Sequence, residues 1–193
     1  MAFRSLSLCA GIGGIDLGLK LALGGDFRTV GYVEREAAAA ACLVARFQDK
    51  SLDSAVVWDD LATLDCGPWR GKVDLVTAGF PCQPFSAAGQ RKGKADERWL
   101  WPHIDRIIRE VRPRFVFLEN VPGLVRSGLD DVLATLAECG FDAEWDVFSA
   151  GGFPPQGCEA PHLRKRFFLL GVADPDGARR ATPECEGRSQ EYA

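Results

Sequence analysis

The sequence lacks any apolar run near the ~20 residues that a membrane-spanning helix needs, and its first residues lack the apolar core of a signal peptide. Its seven cysteines are an odd number and are scattered without a CxxC pair, which argues against a disulfide framework. Only two histidines are present, so no zinc site is expected. We therefore expect a cytoplasmic protein with neither a membrane span nor a metal site.

Neither sign of charge dominates the chain. Its 193 residues include 23 Lys and Arg against 27 Asp and Glu, a net charge of -4. This balance does not indicate a nucleic-acid partner, but a total averages over all faces and can hide a local basic patch. Hydrophobic residues make up 47% of the chain, which is enough for the core of one domain and excludes wholesale disorder.

Short apolar or β-branched runs alternate with helical stretches, which favours βαβ units and an α/β fold with a doubly wound, mostly parallel sheet. We expect one domain over residues 1–173 and a disordered tail over 174–193, which is rich in Pro, Gly, Glu and Arg. Helices are expected after the Gly11–Gly14 turn to about Leu23, from about Glu36 to Phe47, from after Arg98 to about Glu110 and over Asp130–Cys139. The predicted strands are Arg4–Leu8, Arg28–Val33, Ala55–Trp58, Val73–Ala78, Arg114–Leu118, Phe141–Phe148 and Arg166–Val172, the last two pairing as a hairpin-like edge.

A glycine-rich segment, Leu8–Gly14, joins the first predicted strand to the first helix. Glycines let the backbone approach a ligand, and the helix N-terminus offers free N–H groups. Glu34 ends the second strand, where a carboxylate can accept hydrogen bonds from ribose hydroxyls. An ordinary turn with a solvated glutamate is the alternative. The pair predicts an adenosine cofactor without indicating which one.

Cys82 lies between Pro81 and Pro84, just after the fourth predicted strand. If a helical turn begins at Gln83, its dipole lowers the pKa of the thiol and favours the thiolate. A small buried hydrophobe is the alternative for a lone cysteine, and we assign it to the other six. The rigid proline frame at the ligand-binding edge of the sheet favours a nucleophile at Cys82.

Glu119 ends the fifth predicted strand, next to the strand that leads to Cys82. A partly desolvated carboxylate at that point can stay protonated and act as a general acid, and a turn-forming residue is the alternative. Two basic clusters in an otherwise acidic chain favour a polyanionic substrate, although charge runs are usually solvated faces. They are Arg91-Lys92-Gly93-Lys94 and His162–Arg166, in which Arg164 and Arg166 can share one face.

Together these motifs resemble the DNA (cytosine-5) methyltransferase family, from about Leu6 to Val172. Glu119-Asn120-Val121 alone would be weak evidence, whereas the four motifs in this order are very specific. The resemblance implies a Rossmann-like, S-adenosylmethionine-dependent methyltransferase fold. The matching motifs are the glycine-rich loop, Pro81-Cys82-Gln83, Glu119-Asn120-Val121 and His162-x-Arg164-x-Arg166.

The resemblance implies S-adenosyl-L-methionine as the cofactor. Glu34 would bind the ribose hydroxyls, and Asp60 the adenine amino group, with Asp59 as the less favoured choice. Cys9, in the cofactor loop, stands where the family usually has an aromatic residue, and this departure is expected to weaken cofactor affinity. The other cofactor-binding residues that the resemblance implies are Ala10, Gly11, Gly13 and Gly14 for the methionine part, together with Pro81 and Leu100.

The same resemblance implies DNA as the partner, with the target cytosine flipped out of the duplex. Cys82 would attack C6 of that cytosine, and C5 would then take the methyl group. Glu119 would bind and protonate N3, while Arg164 would contact O2 with support from Arg166. The DNA-binding residues would be Gln83 and Ser86, with Arg91 and Lys92 of the adjacent basic cluster.

Nothing after Val172 resembles the target-recognition domain or the two motifs that follow it in the family. A truncated product, one subunit of a split enzyme whose second chain carries recognition, and a minimal methylase of low specificity all remain open. Three other interpretations are kept. They are a decayed, non-catalytic DNA- or cofactor-binding module, a tRNA cytosine-5 methyltransferase, and a nicotinamide-dependent dehydrogenase, which leaves the Pro-Cys-Gln segment without a role.

Overall fold

The computed structural model describes residues 2–81, 99–152 and 157–174. Hydrogen bonds join seven strands of these residues into a sheet with the order β3-β2-β1-β4-β5-β7-β6. The strands are β1 (Phe3–Leu8), β2 (Phe27–Val33), β3 (Val56–Trp58), β4 (Leu75–Gly79), β5 (Phe115–Asn120), β6 (Phe141–Ser149) and β7 (Lys165–Ala173). The helices are α1 (Gly14–Leu23), α2 (Ala37–Gln48), α3 (Trp101–Val111), α4 (Leu124–Ser127) and α5 (Leu129–Glu138).

The predicted α/β fold with a mostly parallel, doubly wound sheet is confirmed. Strand β1 pairs in parallel with β2 and with β4, and β2 pairs in parallel with β3. The last two strands form the predicted antiparallel pair, in register from Phe141 opposite Ala173 to Ser149 opposite Lys165. Parallel strands need crossover connections, which the alternating helices supply.

The predicted elements are present, with shifted ends. Strand β5 continues through Asn120, two residues beyond the predicted end at Leu118, so Glu119 lies inside the strand. The short helix α4 and the 3₁₀ turns at Gly24–Asp26 and Gly67–Trp69 were not predicted. Each is only three or four residues long, too short to show a hydrophobic period. The predicted tail, apart from Asp174, lies outside the described residues.

The chain divides into two compact units, Met1–Gly79 with His103–Val116, and Phe80–Pro102 with Phe117–Ala193. In the first unit both faces of β1 are buried, because Leu6 and Leu8 on one face and Ser5 and Ser7 on the other are all at most 2% exposed. Burial on both faces is typical of a parallel sheet in an α/β protein. The core of the second unit includes Leu118, Leu124, Val132, Leu136, Phe167 and Leu169.

The spacing of apolar residues in α3 explains why this segment forms a helix. Its apolar residues Ile104, Ile107, Ile108 and Val111 recur every three or four positions and are all at most 1% exposed. This spacing places them on one stripe of the helix, which leaves the charged residues between them on the other side.

Candidate active site

The glycine-rich loop of the first unit is held by backbone hydrogen bonds. The N–H of Ala10 donates to the carbonyl of Val33 (3.0 Å), and the N–H of Gly13 donates to the carbonyl of Ala10 (2.8 Å). The loop needs three left-handed residues, Cys9 (φ 48°), Gly11 (φ 56°) and Gly13 (φ 78°). Glycine adopts this conformation without a steric penalty, which explains two of the three residue types.

Gly13 and Gly11 are glycines for different reasons. A Cβ atom on Gly13 would collide with Leu52 and lie 3.1 Å from Leu43, so both the backbone angle and the packing demand glycine. A Cβ atom on Gly11 or on Gly14 would meet nothing within 4 Å. The loop is therefore packed on the Gly13 side and open at Gly11 and Gly14.

Replacing Gly13 with alanine is expected to lower the free energy of unfolding by roughly 2–4 kcal/mol, from the left-handed backbone and the overpacking together. Chemical denaturation of the full chain measures this loss. Gly14→Ala is the matched control, because Gly14 starts α1, has open space at its Cβ position and is expected to stay within about 0.5 kcal/mol of wild type. Equal stability of the two variants would contradict the packing argument.

Glu34 follows β2 directly, and its carboxylate accepts hydrogen bonds from the backbone of two separate segments. Its Oε2 accepts a hydrogen bond from the N–H of Gly11 (2.7 Å), and its Oε1 accepts one from the N–H of Glu36 (2.7 Å). The carboxylate thus fixes the loop relative to the start of α2. Two of its lone-pair sites are used in this way, and the others remain for a ligand. The sequence predicted the placement of Glu34 but not this backbone role.

The Cys9 thiol lies in the same loop. Burial, and secondarily the negative charge of Glu34, raises its pKa to about 12. The thiol is therefore protonated at neutral pH and is not a nucleophile. The cofactor-binding role predicted for Cys9 stays a prediction.

Asp16 is a buried carboxyl that the sequence analysis did not single out. It lies in the first turn of α1 and accepts hydrogen bonds from the hydroxyls of Ser7 (2.8 Å) and Thr29 (2.9 Å), so it ties α1 to β1 and β2. Burial raises its pKa, against the lowering effect of the two hydroxyls. The only sequence signal was an acid in the first turn of a helix, which usually indicates a solvated capping residue.

Asp60 lies in the turn after β3. Its Oδ1 accepts a hydrogen bond from the N–H of Ala62 (2.9 Å), and its side chain is half-buried, whereas Asp59 is exposed. One carboxylate oxygen is thus used by the turn itself. The segment that follows is anchored by Arg106 of α3, a residue that sequence reasoning missed.

In the second unit, Glu119 and Arg166 form an ion pair. The Nε of Arg166 lies 2.7 Å from Oε1 of Glu119, and each side chain is about one quarter exposed. Burial raises the pKa of the Glu119 carboxyl above its ordinary value, although the charges of Arg166 and Arg164 act to lower it. A carboxyl that keeps its proton to a higher pH while two arginines face it can deliver that proton to a bound base.

Asn120, next along β5, is only 2% exposed, and its side chain holds the backbone before Pro81. Its Nδ2 donates to the carbonyl of Phe80 (3.0 Å), and its Oδ1 accepts from the N–H of Val121 (2.8 Å). The ring of Phe80 packs against Trp101, with centroids 5.9 Å apart. The sequence analysis treated Asn120 only as part of a motif.

The remaining predicted residues divide into two groups. The first group is described by the structure: Pro81 and Arg164 are exposed, and Leu100 is half-buried. The carbonyl of Arg164 accepts a hydrogen bond from the N–H of Ala150 (2.9 Å). The predicted nucleophile and the predicted DNA contacts lie outside the described residues. They are Cys82, Gln83, Ser86, Arg91 and Lys92.

Within residues 2–81, 99–152 and 157–174, no helix is long and apolar enough to cross a membrane. Among the same residues, no group of three or more His, Cys, Asp or Glu side chains is placed to hold a metal ion.

Comparison with known proteins adds an independent line of evidence. The family model for C-5 cytosine-specific DNA methylases matches residues 3–189. The chain is 35% identical, over 174 residues, to the type II methyltransferase M.CviJI of Paramecium bursaria Chlorella virus IL3A, covering 89% of this chain and 44% of that protein. It is 34% identical to M.PspPI of Psychrobacter sp. (strain TA137), covering 89% of this chain and 40% of that protein.

The chain thus spans less than half the length of these two relatives. Among solved structures, a DNMT2 mutant from Spodoptera frugiperda superposes with a TM-score of 0.71 at 20% identity, covering 90% of this chain and 51% of that one. At this level of identity the likeness concerns the fold alone, and it agrees with the predicted Rossmann-like methyltransferase fold.

Proposed function

The chain belongs to the C-5 cytosine-specific DNA methylase family, and from that premise we propose that it methylates C5 of cytosine in DNA with S-adenosylmethionine as the methyl donor. The observation that carries the proposal is the Glu119–Arg166 pair. Cytosine is an electron-rich ring that resists attack at C6 until N3 is protonated or strongly hydrogen-bonded. A carboxyl with a raised pKa, held by an arginine, supplies that interaction.

The first unit supplies residues that fit the cofactor. The open space at Gly11 and Gly14 can receive the methionine part beside the N-terminus of α1. Glu34 keeps free lone pairs for the ribose hydroxyls, and Asp60 keeps its Oδ2 for the adenine amino group. When bound, S-adenosylmethionine supplies an electrophilic methyl group.

In the second unit, the proposed chemistry at the base is covalent. The Cys82 thiolate adds to C6 of the cytosine while Glu119 protonates N3, and the electron density thus placed on C5 makes that carbon nucleophilic. After C5 has taken the methyl group and S-adenosylhomocysteine has been released, water accepts the C5 proton as the sulfur–C6 bond breaks, which restores the aromatic ring and the free thiolate. Glu119 takes back the N3 proton in this second half.

Arg166 and Arg164 serve the base and the DNA in this proposal. Arg166 orients the Glu119 carboxyl, and Arg164, which is exposed, contacts O2 of the base. Lys165 is also exposed beside Arg164, and positive groups at this point favour the phosphates that flank a flipped base. Gln83, Ser86, Arg91 and Lys92 are proposed as further DNA contacts. A second chain carrying a target-recognition region stays a prediction.

Transfer of a labelled methyl group from S-adenosylmethionine to mixed-sequence duplex DNA tests the function. We expect label in DNA cytosine. The matched control is the same duplex with every cytosine replaced by 5-methylcytosine, which has no C5 proton to exchange and is expected to take up no label. Label in a parallel RNA pool but not in DNA would show that the substrate is RNA and not DNA. Label in neither pool would contradict activity of this chain alone.

A further inference from the structure

The hydrogen bonds that shape the Asp60 turn are local. Asp60 accepts from the N–H of Ala62 (2.9 Å) through its side chain and from the hydroxyl of Thr63 (3.3 Å) through its carbonyl. The indole N–H of Trp58 donates to the same Thr63 hydroxyl (3.1 Å). These bonds join residues at most five positions apart, so they shape the turn without fixing it to the rest of the unit.

Arg106 supplies long-range hydrogen bonds to this segment, in which the side chains of Leu61 and Leu64 are also buried. From α3, its Nη2 donates to the carbonyl of Leu61 (2.7 Å), and its Nη1 donates to the carbonyl of Leu64 (3.3 Å). The Arg106 side chain is only 15% exposed, and it also pairs with Glu110 one helical turn later (3.1 Å). A planar guanidinium can bond two carbonyls at once in a fixed geometry, which an ammonium group does less well.

We propose that Arg106 is a positioning residue for the adenine end of the cofactor site, acting through Asp60. This inference rests on the proposed function, because it assigns the adenine amino group to Asp60. Leu61 follows Asp60 directly, so the bond to its carbonyl sets the direction in which the Asp60 backbone presents the carboxylate. Glu110 accepts hydrogen bonds from the same Nη1 that donates to the carbonyl of Leu64, whereas Nη2 alone donates to the carbonyl of Leu61.

Calorimetric binding to the full chain tests this proposal with two ligands. S-adenosylhomocysteine has the adenine amino group, whereas S-inosylhomocysteine has an oxygen there. For wild type, we expect preferential binding of S-adenosylhomocysteine. Arg106→Met is expected to weaken S-adenosylhomocysteine about tenfold, because two charged hydrogen bonds to buried carbonyls are lost, and to weaken S-inosylhomocysteine much less. The preference between the two ligands therefore shrinks.

Two further variants separate positioning from general stability. Glu110→Gln removes the ion pair but keeps the bonds from Arg106 to the carbonyls, so it is expected to leave both dissociation constants within about twofold of wild type. Arg106→Lys can restore one of the carbonyl bonds and is expected to show an intermediate preference. It also keeps the test decisive if Arg106→Met does not fold.

Equal weakening of both ligands in the Arg106 variants, or unchanged binding, would overturn the proposal, since a purely structural role does not discriminate at the amino group. Discrimination retained in wild type and lost in the Arg106 variants would support it even if methyl transfer to DNA failed. Absence of S-adenosylhomocysteine binding to the wild-type chain would overturn both this inference and the proposed cofactor.

Discussion

Replacing Cys82 with alanine is expected to abolish covalent capture of DNA that contains 5-fluorocytosine. In the proposed mechanism, the wild-type thiolate adds to C6 and the methyl group goes to C5, which carries fluorine in place of the proton. The elimination that releases the thiol cannot then occur, so protein and DNA stay joined. A complex that survives denaturing electrophoresis, formed only when S-adenosylmethionine is present, is the measurement.

The chain offers a matched control for this experiment. Cys42 of α2 is an exposed free thiol in the first unit, and Cys42→Ala is expected to leave capture unchanged. Methyl transfer to ordinary DNA should fall by roughly 10³-fold or more in Cys82→Ala, because removal of a nucleophile removes the whole covalent route. Capture by the Cys82→Ala variant would show that another group forms the adduct and would overturn the assignment.

The order of elements and the positions of the motifs could be predicted from the sequence because they depend on local patterns. The alternation of apolar runs with helical stretches predicted the seven strands that the described residues form, and the loop after β1 was predicted from its glycines. Glu34 was expected at the end of β2, which is where it lies. These features depend on residues close together in the chain, so periodicity and turn chemistry determine them.

The residues that hold the site together could not be predicted, because their partners are distant in the sequence. Asn120 bonds the carbonyl of Phe80, which lies 40 positions earlier, and Arg106 bonds that of Leu61, 45 positions earlier. Both partners are backbone carbonyls, which every residue has, so no residue type marks them. Asp16 has partners on two strands for the same kind of reason.

The register of β1 against β2 could not be predicted from the sequence either. The pairing shifts by one residue between Ser5 and Leu6, so that Leu6 lies opposite Gly31 rather than Val30. A bulge of this kind does not change the hydrophobic pattern, because the side chains on both faces of β1 are buried. It nevertheless helps set where Glu34, at the end of β2, meets Gly11.

Replacing Glu119 with glutamine is expected to lower kcat/KM for DNA methylation by about 10²- to 10⁴-fold, because an amide can hydrogen-bond N3 but cannot deliver a proton. In wild type, kcat/KM should fall as the pH rises and Glu119 loses its proton. Burial raises the pKa of Glu119, which moves that fall to higher pH than an ordinary glutamate allows. Glu119→Gln should lose this fall.

Stability gives a second readout with a definite sign. Since the pKa of Glu119 is raised in the folded chain, the folded state holds the proton over a pH range in which the unfolded state has released it. The Glu119 contribution to the free energy of unfolding is therefore full at pH below the unfolded pKa and is lost as the pH rises through the folded one. Glu119→Gln removes this dependence of stability on pH. Glu144→Gln, at an exposed position of β6, should keep it.

A Glu119→Gln variant within tenfold of wild-type activity, with the alkaline fall in kcat/KM retained, would show that another group protonates N3.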